Sequence, residues 1–553
     1  MGMEEIFGKN ILEVLTTGMY PDDTTIFREY IQNAADSIRK AVEDNLYTEE
    51  EEPSIDIELL TPIRSIRITD NGYGVKKEDV EKRLLSIAAS EKDEDKDMGY
   101  RGIGRLCGLA HCSKLTFKTT YPGEDVETIM TWDAEAMRIV LDDKDNKMTP
   151  REVLNTIVKY STRPVPSNLH YFIVELDSIT SGHDSLLDRE LVKRYISETA
   201  PIKFAPSFHH RTKIEKYAKE HGFNLPCYKV TLEGKEISKN YSITLYKKTG
   251  SACQEYDRIR DVSFKEFRAS DGEILAWMWF GISAFEKQIP VDNQMRGIRL
   301  RRHNIEIGDD KTLAKFFKED RGYSYYVGEV HLIHRDLRPN NRRDYIRDVT
   351  KAGLNGQKTI RVEFEETMRR FFGEELDSLY REANTYKNAL KSESELKKAQ
   401  EEYKEKEAIG FINDTEKKNL EKKIGDLEKK KADGDKSINR IQQSAINNGI
   451  VSKMVAAVTE NVVTKTDQTE QKKKPVQPVV VNPPSPPMGV SEDKSVNYTN
   501  EKQTSPLITD QLTKLTEGER KVVGRIYGII KDLMPEDKAL YLIQRIQAEL
   551  KNE

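Results

Sequence analysis

The chain has 553 residues, 33% of them charged and 37% hydrophobic, with a formal net charge of −5 from 89 basic and 94 acidic side chains. At about 150 residues per domain this length implies three to four folded units, and so polar a composition leaves part of the chain as extended helix or disorder. The near balance of charge excludes a histone-like polycation, so any nucleic-acid contact must come from a local patch. Four cysteines (Cys107, Cys112, Cys227, Cys253) are too few and too scattered for a disulfide framework, which suits a reducing cytosol. The opening MGMEEIFGKN is acidic where a secretory signal would be basic. The most apolar stretch, residues 274–285, is shorter than the about 18 residues that a membrane span needs and reads as a buried strand. The expectation is a cytoplasmic protein without a membrane helix.

Residues 1–185 alternate apolar-periodic helices with β-branched strands such as SIRITD and KLTFKT, an α/β pattern. Strands dominate residues 186–375, with ILAWMWFGIS, IRLRRHNIEIG and YYVGEVHLI, which predicts a second α+β domain. Residues 376–446 lack proline. Leu376, Leu379, Ala383, Tyr386 and Leu390 recur there at 3–4 spacing, and Leu420, Ile424 and Leu427 take it up again. This reads as a helical hairpin or an imperfect coiled coil, with a solvated charged helix as the alternative. Residues 461–506 are rich in Pro, Lys, Gln and Ser and read as a disordered linker. In 507–553, apolar residues from Ile508 to Leu533 return at helical spacing. So small a helical module implies docking or oligomerisation. The fold class is thus α+β multidomain with a helical C-terminal region.

Three N-terminal motifs carry chemistry. In FREYIQNAADS, residues 27–37, Glu29, Asn33 and Asp36 fall at i, i+4 and i+7, on one helical face. A carboxylate one turn from an amide suits a water-activating base beside a Mg²⁺ ligand; a solvated polar face is the plain alternative. In RSIRITDNGYGV, residues 64–75, an alternating strand runs into Asp70 and then Gly72 and Gly74. Asn-Gly is a common turn pair, but a strand-end carboxylate followed by Gly-x-Gly also suits a purine pocket, because the carboxylate accepts from an exocyclic amine. In MGYRGIGRLCGLAHC, Gly99, Gly102 and Gly104 precede an apolar helical start. Their exposed backbone N–H groups can cradle phosphates, yet no P-loop sequence occurs and no acidic ribose residue follows at dinucleotide-fold spacing.

In order and spacing, with the polar stretch SEKDEDKDM between the second and third, these motifs resemble the GHKL ATPase superfamily of gyrases, heat-shock chaperones, histidine kinases and mismatch-repair proteins. The resemblance covers residues 1–185 and implies a Bergerat-type α/β sandwich that binds ATP and Mg²⁺. By it, Glu29 is the general base, Asn33 holds Mg²⁺, Asp36 is the additional acid of the same helix, and Asp70 binds adenine. Gly72 and Gly74 shape the base pocket, and Gly99, Gly102 and Gly104 close over the phosphates. The family's later strand threonine has no counterpart in HYFIVELDSIT.

Residues 186–375 resemble the middle domain of the 90-kilodalton heat-shock chaperones, in which a loop donates an arginine to the γ-phosphate. The matching loop is DLRPNNRRD, residues 336–344, with Arg343 as the donor and Arg338-Pro339 departing from the chaperone pattern. A permanently charged fork suits phosphate oxygens. A surface loop pairing with Asp336 and Asp344 is the alternative. HRDLRPNN also fits the protein-kinase catalytic loop, but its glycine loop, its lysine strand and DFG are missing, so a kinase is discounted. Cys107, His111 and Cys112 read as packing behind the phosphate loop rather than as a zinc site. The basic run MRGIRLRRHN reads as a solvated strand edge.

The resulting expectation is an ATP-hydrolysing conformational switch of the heat-shock-chaperone type, closing as a homodimer on a client protein. Two alternatives remain open. One is an ATP-gated clamp on nucleic acid, since the domain order also resembles the microrchidia-type ATPases; the other is a nucleotide-binding scaffold, against which the intact Glu29 argues.

Overall fold

The computed structural model describes residues 22–85, 104–250, 252–340, 342–347, 359–408 and 414–473, together with Val523, Ile526, Tyr527 and Ile543. Two units are distinguished, 1–475 and 476–553. Gly99, Gly102 and most of 461–553 therefore lie outside the described residues. The fold is α+β and multidomain.

The first sheet has eight strands: β1 (Ser54–Leu60), β2 (Ser65–Asp70), β3 (Cys112–Thr120), β4 (Val126–Asp133), β5 (Val158–Pro164), β6 (Tyr171–Ile179), β7 (Lys229–Leu232) and β8 (Lys235–Glu236), in the order β5-β4-β3-β6-β2-β1-β7-β8. All neighbours are antiparallel except β1 and β7, which run parallel. Helix α1 (Thr25–Glu43) covers the sheet with a stripe of Phe27, Tyr30, Ile31, Ala34, Ile38 and Ala41, all buried. All of these but Ala41 meet Ile57, Ile68, Leu115 and Leu176 in one apolar core. Helices α2 (Lys77–Leu85), α3 (Ala134–Asp142), α4 (Pro150–Ile157) and α5 (Arg189–Thr199) add to it through Val80, Met137, Val153 and Ile196. A Thr149–Glu152 capping box starts α4.

After α6 (Arg211–Glu220) and the ribbon β9 (Thr244–Thr249) with β10 (Ala252–Arg258) comes a second sheet. Its strands β11 (Asp261–Arg268), β12 (Ile274–Ile282), β13 (Gly297–Arg302), β14 (Ile305–Ile307) and β15 (Val327–Leu332) are ordered β11-β12-β15-β13-β14. In β12, Ala276, Met278, Phe280 and Ile282 enter one core while Trp277 and Trp279 enter another. Both faces are covered, which explains an unbroken apolar run too short for a membrane. Among the described residues no helix is long and apolar enough to cross one.

Helix α7 (Ile360–Arg370) leads to α8 (Asp377–Ala408), α9 (Asp414–Asn447) and α10 (Gly449–Lys473), the last running into the stretch whose composition reads as linker. Leu376, Leu379, Ala383 and Tyr386 are buried in the core of the second sheet. Farther out, Leu396 and Ala399 pack with Leu427, and Tyr403 hydrogen-bonds Glu421, so α8 and α9 form an antiparallel hairpin.

The basic run corrects the expectation of a solvated edge: Arg299, Arg301 and Arg302 are all buried. Arg299 pairs with Glu306 at 2.5 Å and donates to the Gln294 carbonyl at 2.7 Å. Arg301 pairs with Glu329 at 2.5 Å and donates to the Glu198 carbonyl, at the end of α5, at 2.7 Å. Arg302 donates to the carbonyls of His334 and Leu337, each at 2.9 Å, holding the start of the 336–347 loop. Glu329 also receives Lys239 at 2.9 Å, Tyr241 at 3.0 Å and Trp279 at 3.2 Å. Burial opposes its charge, but Arg301 and Lys239 outweigh that and hold the carboxyl well below the usual range. Neighbouring His331 is lowered to about 4 by its burial and stays neutral. Glu329→Gln would leave two buried cations without their counter-charge, so unfolding in urea should show a loss of about 3–5 kcal/mol; an unchanged midpoint would mean that the cluster relaxes to water.

Candidate functional site

The polar face of α1 borders a cavity of about 170 Å³ between that helix and strands β2, β3 and β6. Asn33, Asp36, Asp70 and Gly74 all line it. Its floor is apolar, from Ile68, Phe117, Phe172 and Val174. Phe172 and Val174 are what β6 offers where the family resemblance calls for a threonine.

Asp70 is the last residue of β2 and is buried, accepting a hydrogen bond from the Gly72 amide at 3.0 Å. Tyr47 lies close enough for its hydroxyl pKa to be raised, by burial first and then by the Asp70 charge. The two glycines are demanded by the chain's own crowding. A Cβ on Gly72 would strike the Ser37 hydroxyl. Gly74 has φ +68°, and a Cβ there would meet the Thr120 and Tyr171 carbonyls. Below Gly72, its carbonyl and the His170 ring nitrogen are 2.9 Å apart.

Glu29 does not line the cavity but lies beside it, buried, with its carboxylate against Gly104, where a Cβ would collide with Oε2. Its other oxygen is 3.5 Å from Arg28 Nε and 3.4 Å from Arg343 Nε. The second-sheet loop thus reaches the first domain's helix. Within the loop, Asp344 receives the Asn340 amide. Arg343 has φ +56°, and its carbonyl accepts from the Gly308 amide at 2.7 Å. His303, on the tight β13–β14 turn with φ +50°, has its pKa lowered to about 4 by burial and then by Arg302, with Asp36 and Arg343 within reach of its charge.

Three contributors were not read from the sequence. Tyr30 donates to the Arg105 carbonyl and accepts from the Gly108 amide, both at 3.1 Å, tying α1 to the short turn Gly104–Ala110. Arg105 and Lys40 bring cationic side chains to the cavity. Burial lowers the Arg105 pKa to about 10, still leaving it charged at neutral pH. Lys40 was available as the next i+4 step after Asp36, and Arg105 as the residue after the third glycine.

An apolar floor, the two buried carboxylates of Asp36 and Asp70, the Asn33 amide and the cations Lys40, Arg83 and Arg105 together suit a purine nucleotide with its phosphates and a divalent ion. Residues 24–162 match the family described as histidine kinase-, DNA gyrase B-, and HSP90-like ATPase. The chain carries a domain of this GHKL superfamily. Curated relatives include the chaperone protein HtpG of Psychrobacter arcticus, 22% identical over 228 residues, or 37% of this chain and 32% of that protein. HtpG of Bacillus velezensis is 26% identical over 142 residues, covering 23% of this chain and 22% of the relative. HtpG of Buchnera aphidicola is 25% identical over 239 residues, covering 38% and 34%. The chain spans about a third or less of these relatives' length.

Gly74→Ala tests the geometry without any ligand. Left-handed backbone and two close carbonyls should cost about 1–3 kcal/mol, read as an earlier unfolding transition; a parental midpoint would show that the turn can move aside.

Proposed function

We propose that the chain binds Mg²⁺–ATP in the α1 cavity and hydrolyses it as a conformational switch of the heat-shock-chaperone type. The observation that carries this reading is the approach of Arg343, from the second α+β region, to Glu29 on α1 at 3.4 Å. An inert nucleotide-binding scaffold would need neither group at that place.

In this reading Asp70 accepts from the adenine amine above the apolar floor. Asn33 and Asp36 supply the oxygen donors that fit Mg²⁺, which would neutralise phosphate charge there. Glu29 accepts a proton from the attacking water. Arg28 and Arg343 both compete for its carboxylate. A γ-phosphate would draw the Arg343 guanidinium to itself, leaving Glu29 more available as a base and adding charge stabilisation to the transition state. Because Arg343 hangs from the second sheet, nucleotide occupancy would bias the arrangement of the two regions, and hydrolysis would release it. Arg343 in the left-handed region fits a side chain held in place for such a task.

The reading extends to a cytoplasmic homodimer acting on polypeptide clients, supported by the likeness to HtpG chaperones. Burial of Arg299, Arg301 and Arg302 removes the basic run that the nucleic-acid alternative would use.

Replacing Asp70 by Asn keeps the shape but removes the anionic acceptor, which should cost about 1.5–3 kcal/mol, at least tenfold in ATP affinity by calorimetry. Parental affinity would place the adenine elsewhere.

Glu29→Ala should bind ATP yet turn it over about 10²–10⁴-fold more slowly. Arg343→Ala should also slow turnover, while exposed Arg342→Ala should be milder. Equal turnover by Arg343→Ala and the parent would remove the inter-domain step, and substantial turnover by Glu29→Ala would assign the base to another group. Light scattering with and without nucleotide reads the dimer directly.

A further inference from the structure

His111, set aside in the sequence as packing near two cysteines, turns away from them toward residues far along the chain. Cys107 and Cys112 are buried, and the Cys112 thiol hydrogen-bonds the Gly108 carbonyl. His111 Nδ1 instead lies 3.3 Å from His183 Nδ1 and 3.6 Å from Asp23 Oδ1. His183 Nδ1 is 2.9 Å from Asp23 Oδ2. All three ligand-type atoms fall within 4.8 Å of one another.

Proton counting makes this cluster unusual. A single hydrogen on His183 Nδ1 can satisfy the carboxylate or the facing imidazole, but not both well. Hydrogens on both Nδ1 atoms would set two donors 3.3 Å apart. One divalent cation accepts lone pairs from all three groups at once. Two bonds of about 2.05 Å at a tetrahedral angle put their nitrogens about 3.3 Å apart, and the observed Nδ1 separation is 3.3 Å.

The surroundings are those of a built site. The His111 carbonyl accepts from the Thr180 amide at 2.9 Å and the Thr180 hydroxyl at 3.1 Å, fixing that residue's backbone. Ser185 donates to Asp23 Oδ2 at 3.3 Å, orienting the carboxylate as outer groups do around metal ligands. Asp23 and Ser185 also line an open surface cavity, which supplies an entry path and a place for a water ligand.

We propose that Asp23, His111 and His183 form a site for a first-row divalent transition metal, with Zn²⁺ the best match and a water completing the coordination. Two imidazole nitrogens in a set of three disfavour Mg²⁺ and Ca²⁺, which prefer oxygen. The site is distinct from the Mg²⁺–ATP position proposed at Asn33. Its three ligands precede α1, follow the Gly104–Ala110 turn and follow β6, so an ion there staples together the elements that border the nucleotide cavity. Occupancy raises the stability of this domain by mass action.

The test uses the full chain without a histidine tag, stripped with chelator, in saturating Mg²⁺ and no nucleotide. Co²⁺ titration should give the visible absorption of a four-coordinate site, bleached by Zn²⁺, and Zn²⁺ should raise the melting temperature where Mg²⁺ does not. His183→Ala and Asp23→Ala should each weaken Co²⁺ binding by at least about tenfold, and Ser185→Ala by less. Melting without metal checks that the variants are folded. The chain has nine histidines, so a Co²⁺ signal unchanged in both ligand variants would assign binding elsewhere and overturn the proposal, as would absence of the signal in the parent. Either failure leaves the ATP reading untouched, because no nucleotide is present.

Discussion

The arrangement of the first domain against the second depends on burying the Glu329 carboxylate with Lys239 and Arg301, all three at 0% exposure. Charges so far from water are tolerable only with near-complete pairing, so the geometry around them has little freedom. Glu329 stands on β15, Arg301 on β13 and Lys239 just after β8. Arg301 then reaches the last turn of α5, whose Ile196 belongs to the core of the first sheet. Cation and helix C-terminus attract, so the same arginine that neutralises Glu329 also docks one region on the other.

From that anchor the path to Glu29 is short. Arg302, next along β13, holds the loop that leaves β15, and Gly308, just past β14, holds Arg343 near the loop's far end. The guanidinium is therefore delivered to α1 by a rigid strand pair rather than by a free loop. On the other side, the Tyr30 hydroxyl locks α1 to the Gly104–Ala110 turn, so Glu29 and the end of the glycine-rich segment keep a common frame. A carboxylate between two arginines, beside a glycine that leaves no room for a Cβ, has few places to go. The Arg343–Glu29 ion pair joins the loop after β15 to the helix that borders the cavity.

Local chemistry was readable in the sequence. The 3.6-residue period places Glu29, Asn33 and Asp36 on one face of α1, and β-branched alternation ending in Asp-Asn-Gly predicts a strand that stops at Asp70. The apolar run of β12 identifies a buried strand, because a strand covered on both faces has no polar positions to alternate. What failed was the reading of MRGIRLRRHN. Strand alternation puts Arg299 and Arg301 on one face and Arg302 on the other, but it cannot say that buried glutamates meet the first two and loop carbonyls the third.

Pairings between distant segments were decided by the tertiary structure alone. Strand β7 joins the first sheet beside β1, where Thr231 bonds Asp56 across 175 positions, and no local pattern announces that partner. The approach of Arg343 to Glu29 and the meeting of Asp23 with His111 and His183 belong to the same class. By itself the sequence determined where helices and strands form and which residue types occupy the ends of α1 and β2, because periodicity, turn chemistry and glycine's freedom act over a few residues. Only the packed fold decided which charges share a buried site, because that depends on which distant surfaces can exclude water together.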